Sequence, residues 1–99
     1  MAAIPIIRQS DDLEFSFDLN GDDITGWICT MVVKESVEGP DLIERVIPPQ
    51  GNAWPGFLTS TETAPFNLGI HLLIGTLDNA GTDQNRQINK RFLVTAEIL

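Results

Sequence analysis

The sequence has no tyrosine, one cysteine, one histidine and only six basic residues, and each scarcity removes a class of function. A lone thiol, Cys29, forms no internal disulfide and no cysteine-based zinc site. Six Lys and Arg against fourteen Asp and Glu give a net charge of -8. That is the wrong sign for neutralising phosphates, so no nucleic-acid partner is expected. The same imbalance opposes adsorption to an anionic membrane surface. No apolar run nears the roughly 20 residues a membrane-crossing helix needs. The basic residues are scattered, with Lys90-Arg91 the nearest to a cluster. The start, MAAIPIIRQSDD, lacks a basic leader, an apolar stretch and a cleavage site, so synthesis and folding in a cytoplasm are expected.

What remains is enough for one body. Ninety-nine residues, 42% of them hydrophobic, suffice for a single core and not for two, so residues 1–99 are expected to form one domain. The local patterns are those of strands. Residues 12–19, DLEFSFDL, alternate strictly, with Leu13, Phe15, Phe17 and Leu19 on one side and polar residues on the other. Residues 27–35, WICTMVVKE, carry β-branched and aromatic residues on both faces, as a more central strand does. Residues 4–8 predict a short leading strand that Pro5 confines to an edge or a bulge. Further strands are predicted at 42–47, 56–60, 70–77 and 87–98, with one helical turn at 60–64, capped by Ser60 or Thr61 and stopped by Pro65. The segment DNAGTDQN between the last two strands is turn-forming throughout. About seven short strands at this spacing predict an all-β, antiparallel sandwich.

The stretch Asp18-Leu19-Asn20-Gly21-Asp22-Asp23 offers two readings. A calcium loop would use Asp18, Asn20 and Asp22, but then needs glycine where Asp23 stands and glutamate where Cys29 stands. Flanking helices are also missing. A β-hairpin tip instead asks for positive φ at both central positions, which Asn-Gly supplies. The hairpin is the expectation, with no metal ligands assigned.

Other candidates have bland readings at hand. His71 lies in no G-x-S-x-G or H-E-x-x-H motif and has no second histidine, so it is expected to be a strand residue, with an interface as its alternative. Cys29 alternates with Trp27 and Met31 and is expected in the core. The glycines form no phosphate-binding pattern, and no cofactor is expected. The paired acids Asp11-Asp12 and Asp22-Asp23 lack the sugar-stacking aromatics of a glycosidase cleft and read as a solvated rim. Trp54, in the loop-like stretch PPQGNAWP, either plugs one end of the sandwich or stands out as a contact anchor. Apolar chain ends, with Ile4 and Ile6 at one and Ile98 and Leu99 at the other, are expected to be covered by the domain's own sheet or by a neighbour. The possible interface residues are therefore Ile4, Ile6, Trp54, His71, Ile98 and Leu99.

The run IRQSDDLEFSFDL, then NGDDITGW, then WICTMVVKE resembles the start of small immunoglobulin-like proteins encoded by tailed bacteriophages and prophages. It is similar to the N-terminal modules of baseplate upper proteins. Asp23-Ile24-Thr25-Gly26-Trp27 matches the core of that pattern. Gly56 to Ser60, Thr61 to Ala64 and Leu68-Gly69 resemble the family's strand, helical turn and glycine, and Arg91 to Thr95 its closing strand. Relatives often carry Tyr-x-Tyr-Asp where this chain has Ile70-His71-Leu72-Leu73.

The resemblance implies a non-catalytic structural role in the virion, made in the host bacterial cytoplasm. A tail, baseplate or fibre-attachment component is expected first, and a capsid decoration protein second. Its partners would be other virion proteins or repeated copies of itself. A glycan- or calcium-dependent surface-binding module is the alternative from another class, prompted by the oxygen-rich DLNGDD and DNAGTDQN segments. An enzyme is expected least.

Overall fold

A computed structural model describes residues 4–96. Seven strands and one helical turn follow in order: β1 (Ile6–Arg8), β2 (Leu13–Asp18), β3 (Trp27–Lys34), β4 (Ile43–Ile47), β5 (Ala53–Leu58), α1 (Ser60–Thr63), β6 (Gly69–Asn79) and β7 (Gln84–Thr95). They form a five-stranded sheet in the order β1-β7-β6-β3-β4 and a two-stranded sheet of β2 and β5. The all-β expectation holds, but a purely antiparallel one does not, because β1 runs parallel to β7, with Ile6 opposite Leu93. Two strands far apart in sequence carry no hairpin constraint on their direction.

The core lies between the sheets and follows the two-residue period. From β2 and β5 come Leu13, Phe17, Trp54 and Leu58; from the larger sheet come Cys29, Met31, Val33, Ile47, Leu73, Leu77, Phe92 and Val94. Cys29 is inside as expected, and burial pushes its thiol up to about 11, so it stays protonated at neutral pH. Phe15 is half-buried and meets Phe17 edge to face, with ring centroids 5.6 Å apart.

The turn at Asn20-Gly21 has the expected geometry. Both residues have positive φ, 56° and 87°, and the Asp22 N–H donates to the Leu19 carbonyl at 3.1 Å. It is not a hairpin tip, because β2 pairs with β5 and not with β3. The residues after the turn carry the chain to the other sheet, with Ile24 buried on the way and Gly26 at φ 86°.

Two boundaries move for physical reasons. The predicted strand at 56–60 begins three residues earlier, so Trp54 sits inside β5 opposite Phe17 and not in a loop. Pro55 concealed this, but a strand with a free edge tolerates proline. Between β6 and β7 the ladder runs unbroken to Asn79 opposite Gln84. The turn therefore contracts to residues 80–83, with the Asn79 carboxamide oxygen accepting from the Gly81 and Thr82 N–H groups.

The helical turn is capped one residue before the expectation. Thr59 and Glu62 form a reciprocal capping box, each side chain accepting from the other's backbone N–H. Glu62 also accepts from Arg45 of β4 at 2.7 Å, fastening α1 to the large sheet. Desolvation pushes the Glu62 carboxyl up, but hydrogen bonds from Thr59 and Arg45, with the Arg45 charge, hold it below the usual carboxylate range. Its stabilisation is therefore complete above the ordinary carboxylate pKa and is lost as pH falls through the lowered value. Thr59→Ala should cost about 1 kcal/mol, measured as a lower urea midpoint at unchanged slope. Glu62→Gln should flatten the acid limb of the stability profile.

Candidate interaction surface

Alternation that fills the core also decides what faces outward. On the outer side of the large sheet, β3 presents Ile28, Thr30 and Val32, and β6 presents Ile70, Leu72, Ile74 and Thr76. The register lines these up: Val32 stands opposite Ile74, Thr30 opposite Val46 of β4, and Ile70 opposite Leu93, which neighbours Ile6 of β1. The result is an aliphatic field centred on β3 and β6, to which β1, β7 and β4 add Ile6, Leu93 and Val46. Arg91 and Asn89 of β7 border it opposite Leu72 and Ile74. Ile6 is 65% exposed, Val46 61% and Ile28 55%. Charged residues stand around it, including Lys34, paired with Asp41 at 3.4 Å, and Glu44. The outer side of the small sheet differs: β2 presents Glu14, Ser16 and Asp18 there. β5 sets Pro55 and the 55% exposed Phe57 among them, so that side is mixed. The aliphatic field of the large sheet is the broader apolar surface, and an apolar field rimmed by polar groups marks a protein contact surface.

The structure places four of the six residues suggested by the sequence, in three different settings. Ile6 belongs to the outer aliphatic field, and Ile4 is half-buried at the end of the cleft between β2 and β7. Trp54 is fully buried and His71 is 1% exposed, so neither side chain reaches a partner from the folded chain. As contact residues both are corrected: the β5 register turns Trp54 inward, and the β6 parity does the same for His71. Ile98 and Leu99 lie outside the described residues.

His71 packs against both Phe66 and Phe92, with centroids 5.0 and 5.3 Å away. Its Nδ1 lies 3.2 Å from the Gly69 carbonyl, which only accepts, so Nδ1 carries the proton. Nε2 has no hydrogen-bond partner among the described residues and lies 3.9 Å from the Glu35 carboxylate. No hydroxyl or thiol is paired with the ring among these contacts, and the three rings close a compact aromatic triangle, with Phe66 and Phe92 themselves 6.1 Å apart. This is packing geometry.

The DLNGDD carboxylates serve the turn. Asp18 accepts from the Asn20 N–H at 3.0 Å, and Asp23 accepts from the Thr25 N–H at 2.9 Å and hydroxyl at 2.7 Å. The Thr25 bonds hold the Asp23 carboxyl below the usual range. Among the described residues no three of His, Cys, Asp and Glu gather where they would hold a metal ion.

Sequence reasoning missed the outer aliphatic field, although its signal was present. Strands apolar on both faces read as central strands, yet among the described residues nothing packs on their second face. Comparison with known proteins adds no assignment: no protein-family model matches the chain, and no curated protein matches it.

Proposed function

We propose that this chain is a non-catalytic structural protein of a bacteriophage particle, a tail, baseplate or fibre-attachment component acting through protein–protein contacts. The observation carrying this reading is the aliphatic outer field of the large sheet, which only a protein partner would cover in water. Other virion proteins or repeated copies of the chain would lie against it.

The fold proposed with this function is a reduced immunoglobulin-like sandwich. It is supported by the strand order, in which β2 and β5 take the places of strands B and E, and β7-β6-β3-β4 those of G, F, C and C′. The parallel pairing of first and last strands and the helical turn before β6 fit the same scheme.

A capsid decoration protein is the rival within the class, and the same outer field would serve it. A glycan- or calcium-dependent module is less well supported, because the Asp18 and Asp23 oxygens already hold the DLNGDD turn. Mass spectrometry of separated tail and capsid fractions is the test. Recovery with tails supports the first reading, recovery with capsids selects the rival, and absence from particles ends both. Ile28→Asp with Val46→Asp should leave the circular-dichroism spectrum and melting temperature nearly unchanged and abolish incorporation into the particle.

A further inference from the structure

The inner cleft between β2 and β7 carries a second inference, independent of the outer field and of any role in a virion. Strand β7 is twelve residues long, but β1 covers only Leu93–Thr95 on its outer edge. The Leu93 N–H donates to the Pro5 carbonyl at 2.9 Å, and the Thr95 carbonyl accepts from Gln9 at 3.0 Å. Odd-numbered residues of β7 therefore direct their backbone groups away from β6. The β6–β7 register has no bulge, so Asn85, Gln87, Asn89 and Arg91 do the same. Among the described residues no strand covers them.

This open edge faces a cleft. Two adjoining hollows, of about 490 and 420 Å³, run between β2 and β7 and share Ser16 and Lys90. Leu13, Phe15, Ile88 and Phe92 give them apolar walls. The even-numbered side chains of β7 point inward, in the order Arg86, Ile88, Lys90. Arg86 lies over the Trp27 ring at 5.6 Å, and Lys90 lies 6.0 Å from the centre of the Phe17 ring.

Charge specifies what fits. Arg8, Lys34 and Arg45 are each paired with a carboxylate. Among the described residues Arg86, Lys90 and Arg91 are not, in a chain whose net charge is -8. A second β7 laid along this edge would set cations against cations, which blocks self-pairing. An acidic strand meets the same array favourably. Glu14 and Asp18 stand on the other rim, but alternation turns them to the wet outer side of β2.

We propose that the uncovered edge of β7 is a strand-addition site for an extended acidic segment of another polypeptide, with the inward pattern acid-x-aliphatic-x-acid set opposite Lys90, Ile88 and Arg86. Main-chain hydrogen bonds to Gln87 and Asn89 would supply the binding, and the two cations the choice of partner.

The test titrates the full chain with a short synthetic peptide, Thr-Glu-Thr-Val-Thr-Glu-Thr with blocked ends, followed by amide shifts at low salt. The expected result is saturable shifts at Asn85, Gln87 and Asn89, with slowed hydrogen exchange at the latter two. Arg86→Glu with Lys90→Glu should weaken binding by about tenfold or more, and salt should weaken the native complex. Gln87→Pro removes an outward donor without touching the β6 ladder, so it should abolish binding while the remaining spectrum stays folded. Equal binding of the Lys-for-Glu peptide, shifts centred elsewhere, or no binding at low salt would each overturn the proposal. So would a concentration-dependent dimer that buries this edge and excludes the peptide.

Discussion

Trp54→Ala should lower the unfolding free energy by about 3–5 kcal/mol, out of roughly 5–15 kcal/mol for a domain of this kind. The indole is fully buried at the second position of β5, opposite Phe17. Only two strands make the small sheet, so few other side chains close that half of the core. Truncation leaves a cavity between the sheets, and the surrounding strands cannot collapse into it without breaking register. Trp54→Phe is the informative control. The Trp54 Nε1–H has no hydrogen-bond partner among the described residues, and phenylalanine removes that buried donor while leaving a smaller void. Its cost should therefore be well below that of alanine, near 1–2 kcal/mol. Urea unfolding followed by circular dichroism measures both. A Trp54→Ala loss below 1 kcal/mol would mean that the indole is not packed as described.

Trp54 also shows where sequence reading works and where it stops. Two strands were legible from the residues alone: β2 from strict alternation, because period two is a property of the backbone, and β3 from its β-branched and aromatic residues on both faces. β5 was cut short because Pro55 reads as a breaker, and nothing local says that the strand has a free edge. Asn20-Gly21 correctly specified positive φ at two successive residues. It did not specify that β2 and β3 belong to different sheets, because a turn type fixes local direction and partner choice is made by the core. The capping box of Thr59 and Glu62 was readable at its three-residue spacing. The outer aliphatic field was readable only in part. Ile28, Val32, Ile70, Leu72 and Ile74 alternate with core residues in β3 and β6, which reports burial on both faces. Sequence alone does not distinguish a covering layer within the chain from a partner, and here the described residues supply no layer. The cleft lay furthest from the sequence, because it depends on β1 being three residues long beside a β7 of twelve.

The two sheets also meet at a point where one methyl group decides the fit. Gly75 lies in the centre of β6, between Met31 of β3 and Ile88 of β7. A methyl group there would stand 2.8 Å from Cδ1 and 3.0 Å from Cγ and Cε1 of Phe17. Those atoms are near the root of the ring, so a side-chain rotation does not relieve the clash. The β2 backbone would have to retreat from β6, carrying its pairing with β5 along. Gly75→Ala should therefore cost about 2–3 kcal/mol by overpacking, although alanine suits a strand better than glycine does. Gly56 makes the comparison. A methyl group there meets the tip of the half-buried Phe15 ring at 2.6 Å and the Cδ1 methyl of Ile47 at 3.1 Å, both far ends of side chains that can shift. Gly56→Ala should cost about 1 kcal/mol or less. The double variant Phe17→Leu with Gly75→Ala completes the cycle, because a slimmer side chain opens the space that the new methyl group needs. Its loss should be smaller than the sum of the two single losses by about 1 kcal/mol or more. Strict additivity would show that Phe17 does not rest on Gly75, and that the sheets are held apart by some other contact.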